Sequence, residues 1–216
     1  MHEQSRRDWA RFEPKAIPTK NQVPQLERWL ECIDLPSGAR VLDVGCGSGE
    51  IARRLIERGF GCVGLDINPA AIENLAREFG GRFFERDVAA RSGFGLDEPA
   101  FDAAICQLVL SIVGDAADRA QLLRNVHAYL HPAAPLFVSF SGLSDDLNDE
   151  YAQLYRRDEP TTEEWGSYWS RDATGQVLYR THHFARDEIA ALLASCGFEA
   201  VAIEEQIETS SRRPDQ

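Results

Sequence analysis

The 216-residue chain predicts an α/β fold: a doubly wound, mostly parallel sheet with helices on both faces. From Arg40 onward short apolar runs alternate with helical patterns, the signature of repeated strand-helix-strand units. One run, Val41-Leu42-Asp43-Val44, passes into glycines at 45, 47 and 49 and then straight into helical sequence. The next two runs deliver carboxylates, Asp66 and Asp87, to what such a topology makes one edge of the sheet.

Residues 1–39 stand outside the alternation. Trp9, Phe12 and Trp29 lie among charges and prolines there, and Val23, Leu26, Leu30 and Ile33 have helical spacing, so this segment is expected to form a helical cap over the sheet edge. Strands are expected over 40–45, 61–66, 82–86, 101–107, 135–141 and 198–207, and helices over 49–58, 69–79, 116–130 and 186–196. Asn68-Pro69 opens the second of these helices with a capping side chain and a first-turn proline, which leaves Asp66 in the loop just ahead of it. Between the fifth strand and the last helix, residues of about 144–181 form an insertion carrying Tyr151, Tyr155, Trp165, Tyr168, Trp169 and Tyr179 among many acids. This insertion is expected to be a substrate lid, since aromatic faces stack flat ligands or hold cationic ones, and the acids favour positive charge.

With 44% hydrophobic residues the chain can bury one sizeable core, so 40–216 is read as a single domain behind the 1–39 cap. A net charge of -12 and a pI of about 4.9 disfavour nucleic acid and anionic membranes as partners. Ser5-Arg6-Arg7 is followed by an acid and a tryptophan rather than an apolar segment, and no apolar run approaches a membrane span, so neither export nor a membrane is expected. Five cysteines, odd in number and without C-x-x-C spacing, fit a reduced, cytoplasmic protein.

The glycines at 45, 47 and 49 let the backbone turn tightly and approach a ligand closely, while the following helix offers unpaired N–H groups. The dinucleotide pattern G-x-G-x-x-G would need a glycine at 50, where Glu50 stands beside the would-be pyrophosphate, so the turn points away from NAD. Val41 to Glu50, with Asp66 about twenty residues beyond the first glycine, Asp87-Val88 after Arg82-Phe83-Phe84-Glu85-Arg86, and Phe101-Asp102 opening the run to Gln107, together resemble the class I S-adenosylmethionine-dependent methyltransferases. The resemblance is close over 40–107 and looser to about 208. It implies the Rossmann-like form of the doubly wound sheet and S-adenosylmethionine as cofactor. It also implies a binding set of Asp43, Gly45, Cys46, Gly47, Gly49, Asp66, Ile67, Asp87, Val88 and Gln107. In the family's pattern Asp66 takes both ribose hydroxyls, Asp87 bonds the adenine amino group, the Val88 N–H meets the ring, and Gln107 lies beside the reactive methyl. Asp43 is expected to fix the glycine turn through backbone N–H groups.

Two departures accompany the resemblance. Pro132 is followed by Ala133-Ala134 where the family has two glycines, so that turn is expected to close without the usual positive φ. The family sheet ends in a hairpin whose last strand Thr209 to Gln216 is too short to supply: either that strand is missing or it was removed beyond Gln216, and its absence would leave a strand edge for a partner subunit, as in a homodimer, to cover.

The expected reaction is methyl transfer to a nucleophilic N or O of a small molecule, in which alignment supplies much of the acceleration. The alternatives are a protein or RNA methyltransferase, or a cofactor-binding scaffold without turnover. His182 and His183 are the candidate bases, and being adjacent in an extended segment they face opposite ways, so one at most can serve. Gln107 is the candidate for orienting the acceptor, with Trp9, Tyr155, Trp165, Tyr168 and Trp169 around the substrate. No metal is expected: His127 and His131 are one helical turn apart, but no acid completes an H-E-x-x-H motif.

Overall fold

The computed structural model describes residues 2–11, 24–97, 100–199 and 202–207. A five-stranded parallel sheet is built from β1 (Arg40–Val44), β2 (Gly61–Asp66), β3 (Phe83–Glu85), β4 (Ala103–Gln107) and β5 (Leu136–Ser139), in the order β3-β2-β1-β4-β5. Val41 pairs with Cys62 on one side and Ala103 on the other, so β1 and β4 are central neighbours from which the winding runs outward in both directions. The crevice at their carboxyl ends is where ligands bind in such sheets.

Burial on both faces explains the continuous apolar runs. Leu42, Val44, Ala104 and Cys106 face a core shared with Leu122, Leu123 and Val126 of α5 (Ala116–Tyr129) and Ile189 and Leu193 of α7 (Arg186–Ser195). Val41, Cys62, Ala103 and Ile105 point the other way, onto α3 (Glu50–Glu57) and α4 (Pro69–Phe79). Helix α4 starts as its sequence dictates, with the Asn68 side chain accepting from Ala71 N–H at 2.9 Å and Pro69 in the first turn.

The amino-terminal segment divides in two. Helix α1 (His2–Arg11) lies on the insertion, with the Trp9 and Tyr179 rings 4.6 Å apart. Helix α2 (Pro24–Cys32) instead buries Leu26 and Leu30 in the same core as α3 and α4, and Trp29 meets Phe137 at 5.5 Å. Its apolar stripe therefore covers the sheet face, and of the two described helices it is α1 that reaches the sheet edge. Phe12 and Val23 lie outside the described residues.

Two further expectations are corrected, and the insertion proves to have elements of its own. Residues 198–199 and 202–207 form no strand, although Ala200 and Val201 lie outside the described residues. The turn at Pro132 keeps its positive φ after all: Ala133 adopts φ 62° and Ala134 N–H donates to His131 O at 3.0 Å. Alanine tolerates this left-handed conformation at a cost of about 1–2 kcal/mol. The insertion holds regular structure, with α6 (Asp149–Thr162) followed by an antiparallel hairpin of β6 (Ser167–Arg171) and β7 (Val177–His182), its register shifting at Ser170/Arg171.

Candidate functional site

The glycine turn is clamped by the neighbouring strand. Gly45 N–H and Cys46 N–H both donate to Leu65 O, at 2.7 and 2.9 Å, and Gly47 N–H donates to Asp66 Oδ2 at 2.8 Å. The three glycines take φ 74°, 50° and 83°, and a Cβ at Gly45 would collide with Val109. Asp66 Oδ1 accepts from Asn68 N–H at 2.9 Å, and the Asn68 amide donates to Trp9 O at 3.1 Å, which ties α1 to this edge. Burial pushes the Asp66 carboxyl up, while the N–H groups of Asn68, Gly47 and Ile67 pull it back.

Asp43 does not perform its expected role. The N–H groups of Gly45, Cys46 and Gly47 go to Leu65 and Asp66, that of Gly49 goes to Cys46 O, and Asp43 is 1% exposed, with Oδ2 lacking a partner among the described residues. Burial, reinforced by the charge of Asp66, pushes its carboxyl up to about 7.

A single cavity of about 670 Å³ runs from this turn to the insertion. Gly45, Gly47, Asp66, Ile67, Asp87, Val88 and Gln107 line one end, whereas Cys46 and Gly49 stand behind the wall. Cys46 is buried in the core, and Gly49 supplies the left-handed residue that opens α3. Asp87 Oδ1 accepts from Ala89 N–H at 3.0 Å, and its Oδ2 is paired at 3.1 Å with Arg6 from α1. Gln107 Oε1 is a buried acceptor with no partner among the described residues.

The other end is lined by Trp9, Ser111, Ser141, Tyr151, Tyr168, Trp169, Tyr179, Thr181 and His183. His183 Nδ1 lies 2.7 Å from Tyr155 Oη and Nε2 lies 3.4 Å from Tyr168 Oη. Burial, with repulsion from His182, lowers the His183 imidazole to about 4, so the ring is neutral at physiological pH. Of the expected substrate residues, Tyr155 is fully buried behind His183, and Trp165 packs edge-on against Tyr155 with its outer surface in solvent; neither lines the cavity.

His182 points away, as the alternation of an extended strand requires. Its Nδ1 lies 2.9 Å from Ser167 Oγ and its Nε2 2.8 Å from Glu188 Oε1, so both ring nitrogens are engaged outside the cavity. Glu164, His182 and Glu188 are close enough to hold a metal, but the buried Arg119 and Arg180 both pair with Glu164 and supply the positive charge a cation would.

The insertion's charge differs from the expectation. Its charged residues on the cavity wall are Arg157 and Arg171, and the acid between them, Asp158, is 3% exposed beneath the surface. Nothing in the sequence marked these two arginines, because the Arg156-Arg157 pair has the pattern of solvated helix residues. Arg6 and Arg86, also on the wall, carried no signal either.

This strand order, with a glycine turn at its switch point and carboxylates ending the next two segments, defines a class I S-adenosylmethionine-dependent methyltransferase. The chain belongs to the methyltransferase domain family, which it matches over residues 3–203. A structure from Methanosarcina mazei described as a SAM-dependent methyltransferase is 28% identical, covering 89% of this chain and 92% of that one, with a TM-score of 0.76. The putative methyltransferase YqeM of Bacillus subtilis is 25% identical over 199 residues, 81% of this chain and 79% of its own. A ubiquinone biosynthesis O-methyltransferase of Alkalilimnicola ehrlichii is 33% identical over 96 residues, 43% of this chain and 39% of that relative. S-adenosylmethionine is the cofactor, and the residues present fit it: Asp66 presents a carboxylate suited to a diol, and Gln107 Oε1 is a buried acceptor awaiting a donor such as an ammonium group.

Proposed function

We propose that this protein methylates a nucleophilic oxygen or nitrogen of a small aromatic molecule. The observation that carries the reading is the single cavity joining Asp66 and Gln107 to His183 beneath aromatic walls. Its volume lies within the range of small-ligand sites and has to serve both cofactor and acceptor, so the acceptor is small. S-adenosylmethionine, when bound, supplies an electrophilic methyl group. Asp66 and Asp87 hold its nucleoside end, Ile67 and Val88 offer apolar contact, and the Gln107 amide orients groups near the methyl. His183 Nδ1 is held by Tyr155 Oη at 2.7 Å, while Nε2, whose contact with Tyr168 Oη is long at 3.4 Å, is the nitrogen that exchanges this contact for an acceptor hydroxyl and positions it by hydrogen bonding. Titrating near 4, this imidazole is too weak a base to ionise either a phenol or an alkylammonium, both of which titrate at about 10, so its part is to hold the acceptor rather than to deprotonate it.

The residues of α1 and of the insertion meet over this cavity, which supports reading them as cap and lid on one domain. The five free cysteines suit a reducing cytoplasm, and no described helix is long and apolar enough to cross a membrane. Among the described residues β5 has an open outer edge, which suits a homodimer.

The test is a panel of phenols and amines incubated with S-adenosylmethionine, with products read by mass. His183→Phe should lower kcat by about 100-fold on the active acceptor while cofactor affinity holds. The wild-type rate should stay flat on acidification until His183 protonates near pH 4, and then fall. Full turnover by His183→Phe across that pH series would end the role of the imidazole.

A further inference from the structure

The acceptor end of the cavity carries an unbalanced positive charge in a protein whose net charge is -12. Arg157 Nε and Nη2 donate to Asp158 at 3.0 and 2.8 Å, and Arg171 Nη1 and Nη2 donate to the same carboxylate at 2.9 and 3.0 Å. Asp158 also accepts from Trp169 N–H at 2.9 Å, which locks α6 to β6, and these donors hold its carboxyl far below the usual range. Two guanidiniums therefore share one buried anion, and among the described residues one charge remains uncompensated. The Arg157 Nη1 group has no protein acceptor among the described residues. Asp158 keeps both forks in place before any ligand arrives, which reduces the entropy cost of binding an anion.

Building on the proposed function, we propose that the acceptor is an aromatic hydroxy acid: its carboxylate is taken by Arg157 and Arg171, and its hydroxyl lies against His183. The two arginines and His183 line the same cavity, with the rings of Tyr151, Tyr168 and Trp169 on its wall to stack the flat body of the ligand. A single carboxylate matches the single uncompensated charge. Guanidinium forks match planar carboxylates in geometry as well as in sign. These arginines select the acceptor; they take no part in the methyl transfer itself.

The test uses the full chain saturated with S-adenosylhomocysteine and titrated calorimetrically with meta-hydroxybenzoate and meta-hydroxybenzamide, a pair differing only in charge. The acid should bind at least about tenfold more tightly than the amide, as expected for a hydrogen bond to a charged group. That preference should weaken with added salt and drop to near parity in Arg157→Gln, a change at a half-exposed side chain that leaves Arg171 on Asp158. Equal binding of acid and amide, binding of neither, or a preference that survives in Arg157→Gln would each overturn the inference. S-adenosylhomocysteine affinity separates the two levels: if it is normal, any of these results leaves the methyltransferase reading standing, whereas wild-type protein that fails to bind it would sink that reading too.

Discussion

Replacing Asp43 by asparagine should shift the pH dependence of stability of the unliganded protein by about 4 kcal/mol in the variant's favour between about pH 4 and pH 8. Asp43 is 1% exposed, and burial next to Asp66 raises its carboxyl from an ordinary 3.8 to about 7. Below 3.8 folded and unfolded chains both hold the proton. Between the two values the folded chain keeps a proton that the unfolded chain has released, so stability falls as pH rises, by roughly 1.4 kcal/mol per pH unit. The loss is complete once pH passes about 7. Asparagine has the same shape and does not ionise; its buried amide costs about 1–3 kcal/mol at every pH, so the change with pH, rather than the offset, is diagnostic. Urea unfolding of both proteins followed by tryptophan fluorescence across this range measures it. A difference that stays constant from acid to alkaline pH would refute a buried, unpartnered carboxyl beneath the turn.

Asp66→Ala removes the acceptor for Gly47 N–H and Asn68 N–H as well as the carboxylate offered to the cofactor. Affinity for S-adenosylhomocysteine should fall by about 1.5–3 kcal/mol, and unchanged calorimetric affinity would remove Asp66 from the site. Gly45→Ala places a Cβ against Val109 at a φ of 74°, and left-handed strain plus crowding should cost about 2–4 kcal/mol. Thermal unfolding at the wild-type temperature, together with normal cofactor binding, would show the turn to be drawn wrongly.

Local chemistry and continuous burial were legible in the chain. Pro69–Phe79 matches its expected span because Asn68 and Pro69 act on their own helix and need nothing distant. The central strands were legible because both faces are covered, so nearly every residue in Val41–Val44 and Ala103–Cys106 had to be apolar or small. The glycine turn and the carboxylates after it showed where the sheet edge would be, and Asp66, Asp87 and Gln107 do line one cavity. Spacing alone could not say which surface an amphipathic helix covers, and the stripe in Pro24–Cys32 went to the sheet face rather than the cofactor edge.

The sequence by itself determined the sheet, the turn and the family, because those depend on residue type at short spacing along one chain. Only the tertiary structure decided that His183 rather than His182 reaches the cavity, that Asp43 lies unpartnered beneath the turn, and that the insertion lines the cavity with arginines rather than acids. Each of these depends on which way a side chain points once distant segments have packed. The acids of the insertion outnumber its arginines in sequence, but a buried carboxylate needs cationic partners, so Asp158 turned inward and drew Arg157 and Arg171 to the cavity wall.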